Sequence, residues 1–275
     1  MGEDKTLANT ETYTHGHAES VLRSHRWRTA ENSCGYLLDR LKRGQTILDV
    51  GCGPGTITVD LAARVWPGRV VGLDRSEAVL SAAHEATAAR AVDNIEFLAG
   101  NVYSIEMPDG TFDIVHAYQV LQHLSEPVAA LREMARVCRP GGIIAVRDCD
   151  YAGFIWFPLV EGLKDWLDLY RRAARANRGD PDAGRRLLSW ARAAGLRDVQ
   201  ASASVWCFAD EEGRAWWGGL WADRILDSEL AVQAERDGLA TRSELQEMSR
   251  AWRTWSAAPD GWFIVPHGEI LANPA

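Results

Sequence analysis

The stretch ILDVGCGPGTITVDLA, residues 47–62, sets three glycines and a proline between an apolar β-branched run and a helical apolar pattern. Ile47 to Val50 read as a buried strand, and Thr56 onward reads as a helix. Gly51, Gly53 and Gly55 permit backbone geometry that a side chain forbids, and they let a ligand approach the main chain. The first turn of the following helix adds N–H groups that have no partner within the helix. A plain turn needs one such residue; three point to a ligand seated against the backbone. The dinucleotide fingerprint GxGxxG needs its third glycine where Thr56 stands, so Gly55 falls one place early for a nicotinamide or flavin enzyme.

Outward from this turn, strands and helices alternate. The strand in TILDV is followed by a helix over 56–65, RVVGLD by a helix near 76–91, then come IEFLAGN and FDIVHAY, a helix around 127–138, and GGIIAVRD. Short strands separated by helices argue for a parallel sheet wound on both faces. Such sheets bind ligands beyond the carboxyl ends of their strands, at the switch in strand order, where the glycines lie. VLRSHRWRTAENSCGYLLDRLKRG reads as one helix stopped by Gly44. After Asp150 the rhythm changes. FPLVEGLKDWLDLYRRAARANR is read as an amphipathic helix with Leu159, Leu163, Trp166, Leu167 and Tyr170 on one stripe, and PDAGRRLLSWARAAG as another ending at Gly195. DVQASASVWCF and GWFIVPHGEIL are closing strands, with about 50 residues of tryptophan-rich helical sequence between them.

The 275 residues carry a net charge of −8 and no basic run, which disfavours a nucleic-acid partner. No apolar stretch has the length of a membrane span. The polar N-terminus has no secretory core, and the five scattered cysteines form neither a CxxC zinc pattern nor a disulfide framework. The expectation is a reduced, cytoplasmic protein with no metal and no membrane partner.

LDVGCGPG, VVGLDRSEAVLSAA, IEFLAGNVYSIEMPDGTFDIVHAYQVLQHL and LREMARVCRPGGIIAV, taken in order, resemble the class I S-adenosylmethionine-dependent methyltransferases, in the spelling of the ubiquinone/menaquinone-biosynthesis (type 11) branch. The chain also looks like actinobacterial secondary-metabolite enzymes, including indole C3-methyltransferases of the physostigmine type. The resemblance implies an α/β, Rossmann-like, doubly wound sheet of seven strands with the last antiparallel, an N-terminal helical arm and a helical substrate cap. It implies one domain across 1–275: an arm to residue 30, a cofactor core over 31–150 and a substrate-covering half over 151–275. S-adenosyl-L-methionine would be held by Asp49, Gly51, Cys52, Gly53, Gly55, Asp74, Arg75, Asn101, Val102 and His116. Asp74 would accept both ribose hydroxyls, and a carboxylate about 20 residues beyond a glycine turn grips a ribose in doubly wound folds generally. Asn101 stands where the family usually has an aspartate facing the adenine amino group; its carbonyl oxygen still accepts there.

Methyl transfer from a sulfonium asks the protein mainly for orientation, and for a base only when the attacking atom must lose a proton. Candidate catalytic residues are Tyr13 and His17 in the arm, His116 at the end of the fourth strand, and Asp150. His123 sits where this branch often has histidine and is read as either packing or chemistry. Ten of the twelve tryptophans follow residue 150, which suits aromatic walls around a flat substrate. Tyr13, His17, Tyr118, Tyr151, Trp206 and Trp217 are the substrate candidates, while Trp166, Trp190 and Trp252 read as packing. The preferred function is C-methylation of an electron-rich aromatic such as an indole. O- or N-methylation of a phenolic, quinone or other secondary metabolite, an NAD-dependent oxidoreductase and a non-catalytic cofactor-binding protein are the alternatives. Oligomeric state is not readable from the sequence.

Overall fold

The computed structural model describes Thr14, residues 19–90 and residues 92–275. Eight strands form one sheet: β1 (Ile47–Val50), β2 (Val70–Asp74), β3 (Ile95–Ala99), β4 (Phe112–Tyr118), β5 (Cys138–Cys149), β6 (Ile155–Phe157), β7 (Arg197–Phe208) and β8 (Trp262–Asn273). The main ladder runs β3-β2-β1-β4-β5-β8-β7, with β1 to β5 parallel and β8 antiparallel to both β5 and β7. This is the Rossmann-like seven-strand order with an antiparallel last strand. The short β6 is one strand more than expected, pairing with the beginning of β8 beyond the end of β5. Strand order reverses between β1 and β4, so a crevice opens at the carboxyl end of β1.

The helices form where the apolar period and caps coincide. They are α1 (Glu19–Arg26), α2 (Thr56–Val65), α3 (Glu77–Ala89), α4 (Pro127–Val137), α5 (Leu163–Ala176), α6 (Leu187–Ala194), α7 (Glu211–Asp227), α8 (Glu229–Arg236) and α9 (Arg242–Ala257). Ser76 caps α3 through the Val79 N–H, Asp210 caps α7 through the Gly213 N–H, and Thr241 with Glu244 forms a capping box on α9. Gly195 ends α6 in the left-handed conformation at φ 89°.

Two sequence expectations fail here. The single helix read up to Gly44 is broken: Thr29, at φ −125°, starts a new turn over Ala30–Ser33 by a capping box with Asn32, and Gly35–Leu38 forms another. A side chain that offers the backbone a cap competes with helix continuation. Leu159 does not join the α5 stripe. The helix starts only after Gly162, φ 91°, and Leu159 is 83% exposed. Among the described residues no helix is long and apolar enough to cross a membrane.

The sheet is covered on both faces. One core joins Leu48, Val71, Val115, Ile144 and Ile270 to α4 and α6. The other joins Ile47, Ile114 and Ala145 to α2 and continues into an aromatic cluster between α5, α7 and α9. There Trp166, Trp221 and Trp252 are almost wholly buried, and Trp166 meets the other two edge-on at 4.6 and 4.7 Å between centroids. Edge-to-face contact is the favoured geometry for such rings.

Candidate functional site

A cleft of about 1160 Å³ opens at the ends of β1, β2 and β4. Asp49, Gly51, Cys52, Gly53, Asp74, Arg75, Asn101 and Val102 all line it, as do Tyr118, Gln119, His123, His25 and Arg28. The three glycines of the turn have different reasons to be glycine. All have positive φ. A Cβ on Gly51 would strike Val120, and one on Gly55 would press on Ala83 and Phe97, so these two serve close packing. Gly53 alone has open space before it, with His25 the nearest side chain at 4.0 Å. Main chain bared to a cavity at the start of a helix is a cradle for a polar ligand. Gly55, the α2 N-cap, is not among the cleft-lining residues.

Asp74 closes the opposite side. Its two carboxylate oxygens accept from the Gly53 N–H and the Ser76 N–H, both at 3.0 Å. Each oxygen keeps a lone pair for a hydroxyl. Asn101 accepts from the Tyr103 N–H through Oδ1 at 3.0 Å, which fixes its amide orientation. Glycine cradle, ribose-sized carboxylate clamp and apolar walls at Leu98 and Val102 fit S-adenosyl-L-methionine along its length.

Asp49 is fastened within the protein. Oδ2 accepts from Thr58 Oγ1 at 2.6 Å, and Oδ1 contacts His116 Nδ1 at 2.8 Å. His116 meets Cys34 Sγ at 3.2 Å through its other nitrogen and has no exposed surface. Burial opposes its charge, but the contacts with Cys34 and Asp49 outweigh it and raise its pKa from 6.5 to about 10. The ring is therefore an imidazolium strut between the first helical turns and β1. It does not line the cleft, and the expectation of a catalytic and cofactor-contacting His116 is corrected accordingly.

Other expectations divide. Tyr13 and His17 lie outside the described residues. Asp150 is held by two nitrogens of the Arg185 guanidinium, both at 2.7 Å, and is not among the residues lining the cleft. Tyr151 is buried, stacked on Tyr170 at 4.0 Å and Phe154 at 4.5 Å. Trp217 is buried and stacked on Phe208 at 4.6 Å. Those two are core residues because the added helices need aromatic filling where they meet the sheet. Tyr118 lines the cleft, and Trp206 lines a second cavity of about 890 Å³.

Arg28, Gln119 and His267, none given a role above, complete the site together with His123. Arg28 donates to Gln119 Oε1 at 2.8 Å and lies 5.1 Å over the Tyr118 ring. Gln119 holds a left-handed backbone, φ 52°, rare without glycine. Because its Oε1 faces Arg28, its amide nitrogen donates to His267 Nε2 at 3.1 Å, which puts the His267 proton on Nδ1. Burial, with Arg147 and Arg28 nearby, keeps His267 neutral. His123 is neutral for the same reasons: burial, then Arg28 and Arg75, lower its pKa to about 3. Gln119 lies 91 residues from Arg28 and 148 from His267, and Glu269 lies 122 from Arg147, so no local pattern reveals them. A signal existed in part: charged residues inside the apolar strands IIAVRDC and FIVPHGEIL demand buried partners.

Residues 41–195 match the protein family described as Methyltransferase domain. An uncharacterized methyltransferase of Schizosaccharomyces pombe is 36% identical over 267 residues, covering 94% of this chain and 95% of its own. A probable methyltransferase of Aspergillus luteorubrus is 31% identical, covering 97% and 99%. Phosphoethanolamine N-methyltransferase 2 of Haemonchus contortus, solved with phosphomonomethylethanolamine and S-adenosylhomocysteine, superposes with a TM-score of 0.54 at 17% identity. It covers 87% of this chain and 52% of its own.

Proposed function

From the premise that this chain belongs to the methyltransferase-domain family and uses S-adenosyl-L-methionine, we propose that it methylates a small, flat, electron-rich aromatic at carbon, an indole being the type substrate. When bound, S-adenosyl-L-methionine supplies an already activated methyl group. On this reading the bare main chain at Gly53, with Gly51 and Cys52 beside it, receives its amino-acid end, Asp74 and Arg75 its ribose, and Asn101 and Val102 its adenine. Helices α7 to α9 form the cover of the acceptor side.

One observation carries the choice of carbon. Among the described residues, the three titratable side chains at and just after the end of β4, His116, Tyr118 and His123, are set against taking a proton. His116 is locked as a strut with a pKa of about 10. His123 has a pKa of about 3 and accepts the Gln122 amide through its Nε2. Burial raises the Tyr118 phenol, keeping it neutral. A phenol or alcohol needs a base as it attacks, whereas a ring carbon loses its proton only after the new bond has formed. What these residues do is orient: Tyr118 lines the cleft with its ring held by the cations of Arg28 and Arg147 at 5.1 and 5.4 Å, and Gln119 fixes Arg28 over it.

The test is incubation with methyl-labelled S-adenosyl-L-methionine and a panel of indoles, phenols and quinones, with products read by mass spectrometry and NMR. The expected product carries the label on an aromatic carbon. Label confined to oxygen or nitrogen across the panel overturns the carbon assignment.

A further inference from the structure

The second cavity is a built site with chemistry of its own. It is lined by residues of β5, β7 and β8 and bounded by the first helical turns and the start of α7. Trp27, Tyr36, Trp206 and Trp216 wall it with aromatic surface. Its floor is a buried polar cluster. Arg147, 2% exposed, uses Nε on Ser204 Oγ at 3.0 Å and on Glu269 Oε1 at 3.2 Å. The two serine hydroxyls turn inward as well: Ser204 donates to Glu269 Oε1 at 2.5 Å and Ser202 to Oε2 at 2.8 Å.

This arrangement uses up acceptors and leaves donors over. Arg147 Nη1 and the Tyr36 hydroxyl are both buried and have no hydrogen-bond partner among the described residues. Burial, with Cys34 next in effect, holds Tyr36 as a neutral phenol, hence a donor. Unsatisfied buried donors are costly, and a ligand oxygen that accepts from both removes that cost. Charge decides which oxygen. The Arg147 cation is already balanced by Glu269, and the rim carries Glu31, Asp210 and Glu212. A carboxylate ligand would bury an uncompensated negative charge beside them, whereas a carbonyl brings an acceptor without charge.

We propose that this cavity binds a neutral, flat aromatic molecule through a carbonyl oxygen received by Arg147 and Tyr36. Tyr118 lines the larger cleft and packs between it and this cavity: the Arg147 guanidinium lies 5.4 Å and the Trp206 ring 6.3 Å from its ring, and both of those residues line the second cavity, which shares no lining residue with the cleft. The site therefore fills alongside the cofactor and not in its place, a statement that rests on the reading of the larger cleft given above.

The experiment titrates the full chain, saturated with S-adenosylhomocysteine, with oxindole, indole and indole-2-carboxylate, following tryptophan fluorescence and heat. These probes share a ring system and differ in the acceptor. Oxindole is expected to bind about tenfold tighter than the other two. Tyr36→Phe, which removes a hydroxyl without other partners, is expected to weaken oxindole about 3–10-fold and to leave S-adenosylhomocysteine affinity unchanged. Removing Arg147 would strand Glu269 and disturb folding, so the tyrosine variant carries the test. Equal affinity for the three probes, an unaltered Tyr36→Phe variant, or oxindole displacing S-adenosylhomocysteine overturns the proposal. If oxindole discriminates as stated but S-adenosylhomocysteine does not bind at all, the cofactor reading of the larger cleft fails and the carbonyl site stands.

Discussion

Asp74 shows how one side chain serves two purposes at the residue scale. Its carboxylate ties the Gly53 and Ser76 N–H groups together across the mouth of the crevice, and the same oxygens face the position proposed for a ribose. Asp74→Ala is expected to weaken S-adenosylhomocysteine binding about 10- to 100-fold, the worth of hydrogen bonds to a charged acceptor at about 1.5–3 kcal/mol. Calorimetry on a variant with native circular dichroism checks it, and an unchanged affinity removes Asp74 from the ribose site. His116 makes the opposite case, a titratable residue near the ligand whose effect is on stability. Its folded pKa of about 10 stands above the ordinary 6.5, so its stabilising effect is fully present below pH 6.5 and is lost as pH rises through about 10. His116→Gln is expected to melt several degrees lower than the parent at pH 6.5, with the gap closing by pH 10.5. Parallel melting curves across that range would mean that the imidazolium strut does not exist.

At the scale of elements, β5 ends in consecutive buried charges that point to opposite faces. Arg147 meets Glu269 on one face, while Asp148, fully buried, accepts the Gln122 N–H at 3.1 Å on the other. Burial dominates Asp148 and raises its pKa from 3.8 to about 8 against the pull of its hydrogen bonds and Arg147. The folded state thus holds a proton that the unfolded chain releases, and this carboxyl lowers stability progressively as pH rises from about 4 to 8. Asp148→Asn keeps an acceptor for Gln122 and removes the titration. Its melting temperature relative to the parent is expected to climb between pH 5 and pH 9, by several degrees in total, and a flat difference curve would exclude the buried acid. The same strand marks how far the sequence could be read. Alternation of β-branched runs and capped helices made β1 to β5 and α2 to α4 legible nearly to the residue, because local period and cap chemistry agree there. The glycine turn and Asp74 were legible for the same reason. The role of His116 was not, since it depends on Cys34, 82 residues away, and Trp217 could not be told from a pocket residue because burial depends on which helix faces inward. The break at Thr29 was readable in principle, as its capping box with Asn32 is a local signal.

Across the whole molecule, the N-terminal segment is tied at once to the cleft and to the added helices. Helix α1 carries His25 to the cleft, and Arg28 follows it. Its other contacts are with the cover: Arg224, almost fully buried, donates to Ser24 Oγ at 2.8 Å, Arg23 meets Asp223 at 3.1 Å, and Trp27 packs on Trp216 at 4.7 Å. Further up the chain Thr14 accepts from Asn177 at 3.0 Å. Docking of this segment and filling of the crevice are therefore linked, because a ligand that touches His25 and Arg28 binds the docked form better than the undocked one. Arg224→Met keeps an unbranched apolar side chain in place but removes the guanidinium that lies over Trp221 and its tie to Ser24. Trypsin cleavage after Arg23, Arg26 or Arg28 is expected to accelerate at least severalfold in this variant, while the melting temperature of the sheet core falls only a few degrees. Saturating S-adenosylhomocysteine should slow the cut in both proteins, since ligand at 100 times its Kd favours the bound form by about 2.7 kcal/mol. Equal cleavage rates in parent and variant, insensitive to the ligand, would show that the segment docks independently of the crevice and that the cover is held in some other way.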